Sequence, residues 1–458
     1  MRTETVTSMS DATQRSARRN VRLLLDLNRR QVEAAYASVR TGRVRSVGIV
    51  GAGVMGASIV AAVLKHEIPV VITDVDKRAL ARLPAAIAAN LSGRPGTSGA
   101  PGSGAIGRML QRTDDVAEIA RCDLVVEAVV EDLSVKRQLL AELEGKLAGG
   151  AVLTSNTSVI PIARLAETLT RPSRFCGLHF LMPSGERSMV EIVRGPASSR
   201  QTVATAVAFA KAIDHVPLVV DDGPGFLVNR LMLPYLSEAL QLLTEGAGIE
   251  AIETAAMRFG MATGPLALID MIGLDTVLNC AWVLSGISDD LVVHSPLLVA
   301  MVKAGRRGRK SGAGFFAYRG DPDKEETPPG VPDPAVDEII SRWALPPRRR
   351  GEETIIARLI LPMLLEATRT LQRKGMGDPR TIDLAVVLGF GFPAARGGLL
   401  YWADTLGAAR IVEMLRPLES LGPRIQATPL LLEMAAKKRR FYDATTADPT
   451  EGAFPPPK

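Results

Sequence analysis

A glycine-rich turn constrains the fold of this chain more than any other feature. The segment Gly51-Ala-Gly53-Val-Met-Gly56 follows a short apolar run and opens a helical pattern, and Asp74 ends the next apolar run. Glycines in this spacing permit a tight turn, a close approach of backbone to pyrophosphate, and close packing of helix on strand. The first N–H groups of the helix would face the phosphates, and Asp74 would bind ribose hydroxyls. The turn therefore predicts a dinucleotide site that prefers NAD, because the carboxylate repels a 2′-phosphate.

Two kinds of pattern divide the rest of the chain. Short β-branched runs alternate with helical stretches over residues 45–222, which is typical of a parallel, doubly wound sheet. From Pro224 onward the pattern is helical. An amphipathic helix is predicted at 16–38, and the Gly/Ser/Pro-rich stretch 92–107 is predicted to be a loop. Strands are predicted at 47–50, 70–73, 124–128, 152–155, 175–179, 190–193 and 218–220.

The helical half contains an internal repeat. The segment Asn229-Arg-Leu-Met-Leu-Pro-Tyr-Leu-Ser-Glu-Ala239 matches Ala357-Arg-Leu-Ile-Leu-Pro-Met-Leu-Leu-Glu-Ala367. The repeat is too long for a solenoid unit, so we expect a duplicated helical domain. The first copy has Asn229 where the second has Ala357. Any chemistry that needs the asparagine therefore belongs to the first copy alone.

Together these patterns predict an α/β fold in which a Rossmann-type doubly wound sheet is followed by two related all-α domains. The predicted domains are an N-terminal connector helix (1–44), a Rossmann NAD-binding domain (45–222), a helical substrate and dimerisation domain (223–320), a linker (321–350) and a second helical domain (351–458).

Composition argues against several classes of protein. A net charge of +6 is small for 458 residues, and an aromatic content of 4% offers little stacking surface for nucleic acid. No apolar run is long enough for a transmembrane helix, and no secretory signal opens the chain. Three widely spaced cysteines suit a reducing compartment. We therefore expect a cytoplasmic protein without a nucleic-acid partner or a membrane span.

The acid–base residue can be sought among only 4 histidines. An enzyme that oxidises an alcohol needs a proton acceptor near neutral pH, which histidine provides. His179 ends a predicted strand, and ligands bind beyond the carboxyl ends of strands in such sheets. His66 suits a helix end, His215 precedes a strand, and His294 lies far from the glycine turn. Glu191, on the following strand, could orient His179, although a surface glutamate fits the spacing equally well.

The chain also carries motifs that are highly specific when taken together. It is similar, on those motifs, to the 3-hydroxyacyl-CoA dehydrogenases, in the form found within the fatty-acid oxidation multienzyme polypeptide. The motifs span most of the range 45–442 and are Ser46-Val-Gly-Ile-Val-Gly-Ala-Gly-Val-Met-Gly56, Val125-Val-Glu-Ala-Val-Val-Glu131, Ser155-Asn-Thr-Ser158, Gly177-Leu-His-Phe180, Asp222-Gly-Pro-Gly-Phe-Leu-Val-Asn-Arg230, Lys310-Ser-Gly-Ala-Gly-Phe315 and Arg396-Gly-Gly398.

The resemblance implies a reaction and a set of site residues. The reaction is NAD-dependent oxidation of an L-3-hydroxyacyl-CoA to the 3-ketoacyl-CoA in fatty acid β-oxidation. The resemblance makes His179 the catalytic base with Glu191 as its partner, and makes Ser158 and Asn229 substrate-binding residues. It implies no metal. The implied cofactor-binding residues are Gly51, Gly53, Met55, Gly56, Asp74, Val130, Glu131, Lys136, Ser158 and Lys310.

Three departures from the family pattern affect what is expected. Met182-Pro183 stands where the family has Asn-Pro after the histidine motif. The stretch near Ser92 replaces a helical hairpin that helps to hold CoA in the family. Only residues 1–44 precede the first strand, so hydratase activity is not expected, and the helix at 16–38 resembles the connector that follows a hydratase domain.

Alternative functions stay open at this point. Another hydroxyacid dehydrogenase would use a lysine on the helical domain as base, whereas the matching motif here offers Asn229. A catalytically weak subunit could instead hold NAD or acyl-CoA and act as a scaffold for a thiolase or a separate hydratase. A homodimer is also compatible with the apolar helical domains.

Overall fold

The computed structural model describes residues 10–92, 107–181, 189–285, 294–318, 330–373 and 378–442. The predicted loop beyond Ser92, the pair Met182 and Pro183, and the C-terminal tail after Tyr442 lie outside the described residues.

The first half of the chain builds one large sheet. Its strands are β1 (Val47–Val50), β2 (Val70–Thr73), β3 (Leu110–Arg112), β4 (Leu124–Glu127), β5 (Val152–Ser155), β6 (Phe175–Phe180), β7 (Met189–Arg194) and β8 (Val216–Asp221). Their spatial order is β3-β2-β1-β4-β5-β6-β7-β8. Every neighbouring pair is parallel except β6 and β7, which are antiparallel. The predicted Rossmann-type sheet is confirmed.

Two details of the sheet differ from the sequence prediction. The sheet is not wholly parallel, because the segment 181–188 between β6 and β7 is shorter than the dozen or so residues that a parallel crossover requires. Strand β3 was not predicted, since Leu110-Gln-Arg112 has no β-branched residue and is half-exposed at the sheet edge.

Helices alternate with these strands along the chain. The connector helix begins earlier than predicted, at Asp11, and it ends at Tyr36. Asp132 begins one of the others by accepting hydrogen bonds from Ser134 N and Val135 N. The helices of this half are α1 (Asp11–Tyr36), α2 (Val54–Leu64), α3 (Lys77–Ser92), α4 (Val116–Ile119), α5 (Leu133–Lys146), α6 (Ile162–Ala166) and α7 (Arg200–Ala212).

The core of this half lies on both faces of the sheet. Strands β1, β4, β5 and β6 are buried at every position, as expected for parallel strands covered by helices on both sides. Apolar residues of β1, β2, β4, β6 and β7 pack against apolar residues of α2, α3 and α7 in one cluster. This rigid core fixes the carboxyl ends of the strands, where the candidate site residues lie.

Among the described residues, the helical half contains two runs of five α-helices. In each run the second helix ends at a glycine with positive φ, Gly260 (φ 108°) in the first and Gly391 (φ 78°) in the second. The runs are α8 (Val228–Thr244), α9 (Ile249–Phe259), α10 (Pro265–Ile272), α11 (Leu274–Ser285) and α12 (Pro296–Lys303), then α14 (Glu352–Gln372), α15 (Pro379–Phe390), α16 (Leu399–Leu406), α17 (Ala408–Leu415) and α18 (Pro429–Lys437). The predicted pair of related all-α domains is confirmed.

The predicted linker contains regular structure. Helix α13 (Pro334–Ser341) begins there, since Asp333 accepts a hydrogen bond from Ala335 N and Pro334 occupies the first helical position. Just before it, β10 (Val331–Pro332) pairs antiparallel with β9 (Phe316–Ala317). The proline-rich composition of this region therefore marks a helix start as well as a connection.

The chain divides into two compact units. The first comprises the described residues of Met1–Gln31, Leu231–Leu266 and Ala344–Lys458, and the second those of Val32–Arg230 and Ala267–Trp343. Every site residue predicted from the sequence belongs to the second unit. The predicted domains are continuous stretches of sequence, whereas these compact units are not, and the predicted boundaries stay a prediction.

In the described part of the chain, no single helix is long and apolar enough to cross a membrane. The pair Pro265–Ile272 and Leu274–Leu284 meets that criterion only when joined, and it is bent by 97°.

Candidate active site

The glycine turn after β1 leaves room for a phosphate group. Gly51 has a φ of 111°, and a Cβ there would lie 2.4 Å from Ala128 O. A Cβ on Gly56 would lie 1.9 Å from Gly51 O, so both positions require glycine. At Gly53 a Cβ would meet no atom within 4 Å. The turn is thus closed on the protein side at Gly51 and Gly56 and open at Gly53, beside the N-terminus of α2, as a pyrophosphate requires.

Asp74 is fixed beside this turn by the backbone. Its Oδ2 accepts a hydrogen bond from Ala52 N at 2.6 Å, and its Oδ1 accepts one from Asp76 N at 2.7 Å. The carboxylate therefore ends β2 next to the glycine turn, where the ribose of a dinucleotide binds in this fold.

Exposed apolar side chains surround the same edge of the sheet. Val54, Val75 and Val130 follow β1, β2 and β4, and they are 62%, 102% and 67% exposed. Met55 packs partly against the core. Exposed valines at the carboxyl ends of three neighbouring strands offer apolar surface to a flat ring. The turn, Asp74 and these side chains all fit NAD.

A buried ion pair lies behind Val130. Lys136 is 1% exposed, and its Nζ lies 2.6 Å from Glu127 Oε1 and 3.2 Å from Glu131 Oε2. Glu127 also accepts hydrogen bonds from Ser155 Oγ at 2.5 Å and from Val129 N at 2.8 Å. The charge of Lys136 is therefore compensated inside the protein, so this side chain holds Glu127 and Glu131 in place.

Glu131 fixes the turn that carries Ser158. Its Oε1 accepts hydrogen bonds from Thr157 Oγ1 at 2.6 Å, Ser158 N at 2.8 Å and Val159 N at 3.2 Å. Asn156 Oδ1 accepts a further hydrogen bond from the N–H of the residue after His179. These four hydrogen bonds fix the turn that contains Ser158.

Strand register brings His179 and Glu191 together. The two residues are direct partners in the antiparallel pair β6–β7, and His179 Nδ1 lies 2.7 Å from Glu191 Oε2. Both side chains are buried, with 5% and 0% exposed. Of the described residues, none hydrogen-bonds to His179 Nε2, which is left for another group.

The same glutamate holds the start of α8. Glu191 Oε1 accepts hydrogen bonds from Leu227 N and Val228 N, each at 3.0 Å. In the first turn of α8, Asn229 Nδ2 donates to Ser158 O at 2.8 Å. The structure thus links His179, Glu191, Asn229 and Ser158 in one hydrogen-bonded set.

Lys310 stands apart from this set. Its Nζ lies 2.6 Å from Asp275 Oδ1, and its side chain is 46% exposed. The structure brings it into contact with none of the other predicted site residues. Its predicted cofactor contact stays a prediction.

Three polar residues of the site were missed by the sequence interpretation: Glu127, Asn156 and Thr157. A signal was present, because each lies at or just beyond the carboxyl end of a predicted strand. A further carboxylate, that of the half-buried Asp222, accepts hydrogen bonds from Ile162 N and Ala163 N, and desolvation raises its pKa. Among the described residues no cluster of histidine, cysteine and carboxylate groups could hold a metal ion.

Comparison with known families agrees with this geometry. The family model described as the NAD binding domain of 3-hydroxyacyl-CoA dehydrogenase matches residues 46–223. The model of the C-terminal domain of the same family matches twice, at 225–318 and 355–449. The chain belongs to the 3-hydroxyacyl-CoA dehydrogenase family. It is therefore an NAD-dependent oxidoreductase, and the internal repeat is a duplication of the family's C-terminal domain.

Several solved structures resemble the chain, each over a different length. FadB2 of M. tuberculosis is 32% identical, with 61% of this chain and 100% of that chain covered and a TM-score of 0.57. A 3-hydroxybutyryl-CoA dehydrogenase from Escherichia coli is 25% identical, with 86% and 99% covered and a TM-score of 0.71. The dehydrogenase part of multifunctional enzyme 1 from C. elegans is 25% identical, with 87% and 91% covered and a TM-score of 0.62.

Proposed function

We propose that this dehydrogenase oxidises the 3-hydroxyl group of an L-3-hydroxyacyl-CoA to a ketone, and that it serves fatty acid β-oxidation in the cytoplasm. The observation that carries the proposal is the 2.7 Å contact between His179 Nδ1 and Glu191 Oε2. It fixes the imidazole so that Nε2 points away from the carboxylate, as a general base requires. NAD, when bound, accepts the hydride from C3.

His179 is the proposed base. Its Nε2 takes the proton of the substrate hydroxyl while the C3–H bond breaks. The imidazole then becomes positively charged, and the buried carboxylate of Glu191 stabilises that charge without taking the proton. Because both side chains are buried, this attraction is stronger than it would be in water.

Ser158 and Asn229 are proposed to hold the substrate. The hydrogen bond from Asn229 Nδ2 to Ser158 O keeps the amide next to the serine hydroxyl. The second N–H of the Asn229 amide and the Ser158 hydroxyl are then available to donate hydrogen bonds to the oxygens of the hydroxyacyl thioester. Such prior fixing of polar groups lowers the barrier by avoiding reorganisation during the reaction.

Of Glu131 and Lys136, only Glu131 is proposed to contact the cofactor directly. Glu131 faces the site with about a quarter of its side chain exposed, whereas Lys136 is enclosed. We expect Glu131 to contact the nicotinamide half of NAD and Lys136 to hold Glu131 in place through their ion pair.

The test is NADH formation from NAD and L-3-hydroxybutyryl-CoA, with longer acyl chains assayed in parallel. The D-isomer and NADP are the matched controls, and both should be used much more slowly. An inactive protein that still binds NAD would contradict the proposal and favour a scaffold for a thiolase or a separate hydratase. Activity with a free hydroxyacid and none with CoA esters would contradict the proposed substrate class.

A further inference from the structure

Phe226 has a backbone conformation that is costly for its side chain. Its φ is 50°, and its side chain is fully buried. Bulky residues rarely adopt positive φ, and such strain clusters at functional sites. The other non-glycine residues with positive φ in the described ranges, Glu67, Asp214 and Lys438, follow the ends of helices, where this conformation is common. Phe226 instead precedes a helix, so helix termination does not explain it.

The ring of Phe226 lies against the imidazole of His179. The two ring centroids are 5.6 Å apart, and the planes are inclined by 56°. The neighbouring backbone is held on several sides. Leu227 N and Val228 N donate to Glu191, Phe226 N donates to Gly223 O, and Gly225 N donates to Val159 O.

We propose that Phe226 is a positioning residue for His179. Its ring covers one face of the imidazole, limits rotation of that ring and keeps water from the Nδ1–Glu191 hydrogen bond. Glu191 binds His179 and also the backbone of the two residues that follow Phe226. The carboxylate and the phenylalanine ring, which both contact the imidazole, are therefore held together. The effect on turnover rests on the proposed role of His179 as base.

A purely structural role predicts different behaviour. A buried phenylalanine that only fills space would affect the stability of the fold when shortened, and not the rate constant of the folded enzyme. A turn that needs only its backbone conformation would accept glycine, which adopts positive φ without strain. Phe226→Leu removes the aromatic ring but keeps an apolar side chain. Phe226→Gly removes the side chain but allows the same backbone conformation.

The kinetic test compares these variants with Phe209→Leu. Phe209 is also buried, at 1% exposed on α7, and serves as a matched loss of an aromatic ring from the core. Assays are run well below the melting temperature of each variant. We expect both Phe226 variants to lower kcat about tenfold with an unchanged KM for NAD, and Phe209→Leu to leave kcat within twofold. A fall of less than threefold in either Phe226 variant would overturn the proposal.

A second measurement does not depend on turnover. Protein with nitrogen-labelled histidine should show a low-field Nδ1 proton of His179 that exchanges slowly with water, identified by its loss in Glu191→Gln. Phe226→Leu should broaden or remove this signal, while Phe209→Leu keeps it. A signal that persists in Phe226→Leu would overturn the proposal, as would its absence from the wild type. If the wild type fails to make NADH yet the signal depends on Phe226, the proposed function fails and the positioning role stands.

Discussion

The two copies of the C-terminal domain share their scaffold and differ in their chemistry. In the first copy, Asp270 accepts hydrogen bonds from Phe315 N and Phe316 N at 2.8 and 2.9 Å. In the second, Asp404 accepts them from Phe441 N and Tyr442 N, both at 2.9 Å. Each aspartate thus closes its copy by binding two consecutive N–H groups of its last segment.

The contacts of the candidate site involve the first copy. Asn229 in α8 binds Ser158 O, and the start of that helix is held by Glu191. The matching position in α14 is Ala357, which is buried and has no polar side-chain atom. The duplicated parts are those that a helical domain needs in order to fold. What differs is the asparagine of the candidate site, in whose place the second copy has alanine.

The largest expected effect comes from His179, which lies in the sheet and in neither helical copy. His179→Gln should lower kcat about 10²–10⁴-fold, because general base catalysis contributes that much. Binding of NAD should be unchanged, as measured by fluorescence titration. Glu191→Gln should lower kcat less, since the imidazole loses its counter-charge but keeps its proton-accepting nitrogen. If His179→Gln kept more than a tenth of the activity, the assignment of His179 as the base would be wrong.

The buried carboxylates of the two copies should give stability a measurable pH dependence. Burial raises the pKa of Asp270 to about 6 and that of Asp383, which caps α16, to about 7. Between the unfolded pKa and these values the folded protein binds more protons, so the free energy of unfolding falls as pH rises from about 4 to 7.

Asp383→Asn should remove most of this slope between pH 6 and 7, and Asp270→Asn should act at lower pH. Each pKa unit corresponds to about 1.4 kcal/mol, so the total fall is up to a few kcal/mol. Urea denaturation at a series of pH values measures it. An unchanged slope in Asp383→Asn would show that this carboxyl titrates normally.

The two closing aspartates offer a matched pair. Asp270→Asn and Asp404→Asn each place an amide NH₂ against a backbone N–H, which costs about 1–3 kcal/mol. Both variants should therefore unfold at lower urea concentration than the wild type when denatured at the same pH. A loss confined to one variant would mean that only one copy depends on this closure.

The smallest expected effect concerns Met182, which lies outside the described residues. The family has asparagine at this position, and methionine offers only a weak sulfur acceptor. One hydrogen bond is worth about 0.5–1.5 kcal/mol, or up to around tenfold in rate. Met182→Asn should therefore raise kcat/KM a few-fold to tenfold. If the wild type were inactive on several acyl chain lengths and Met182→Asn restored no activity, the scaffold function would be favoured.

Much of the fold could be predicted because its signals are local. The glycine turn, Asp74 and the apolar strands are readable within a few residues, and the repeat revealed the duplication. The pairing of His179 with Glu191 was within reach, since a short loop between two strands forces an antiparallel return that places them side by side.

Other features depend on contacts between distant residues. The spacing of Lys136 suits a surface helix, and only the fold shows that Glu127 and Glu131 enclose its charge. The closure of the second copy joins Asp404 to residues far along the chain, and no local pattern announces that contact. The positive φ of Phe226 is also invisible in sequence, because bulky residues are not expected in that conformation.

The central claim is that catalysis uses the first copy and that the second copy is structural. Steady-state NADH formation by Asn229→Ala and Ala357→Asn tests it most directly. Asn229→Ala removes the amide that is proposed to hold the substrate, and one hydrogen bond is worth about 0.5–1.5 kcal/mol, so kcat/KM should fall by up to around tenfold. Ala357→Asn should leave kcat/KM within twofold of the wild type. A wild-type rate in Asn229→Ala, or a higher rate in Ala357→Asn, would contradict this division of roles.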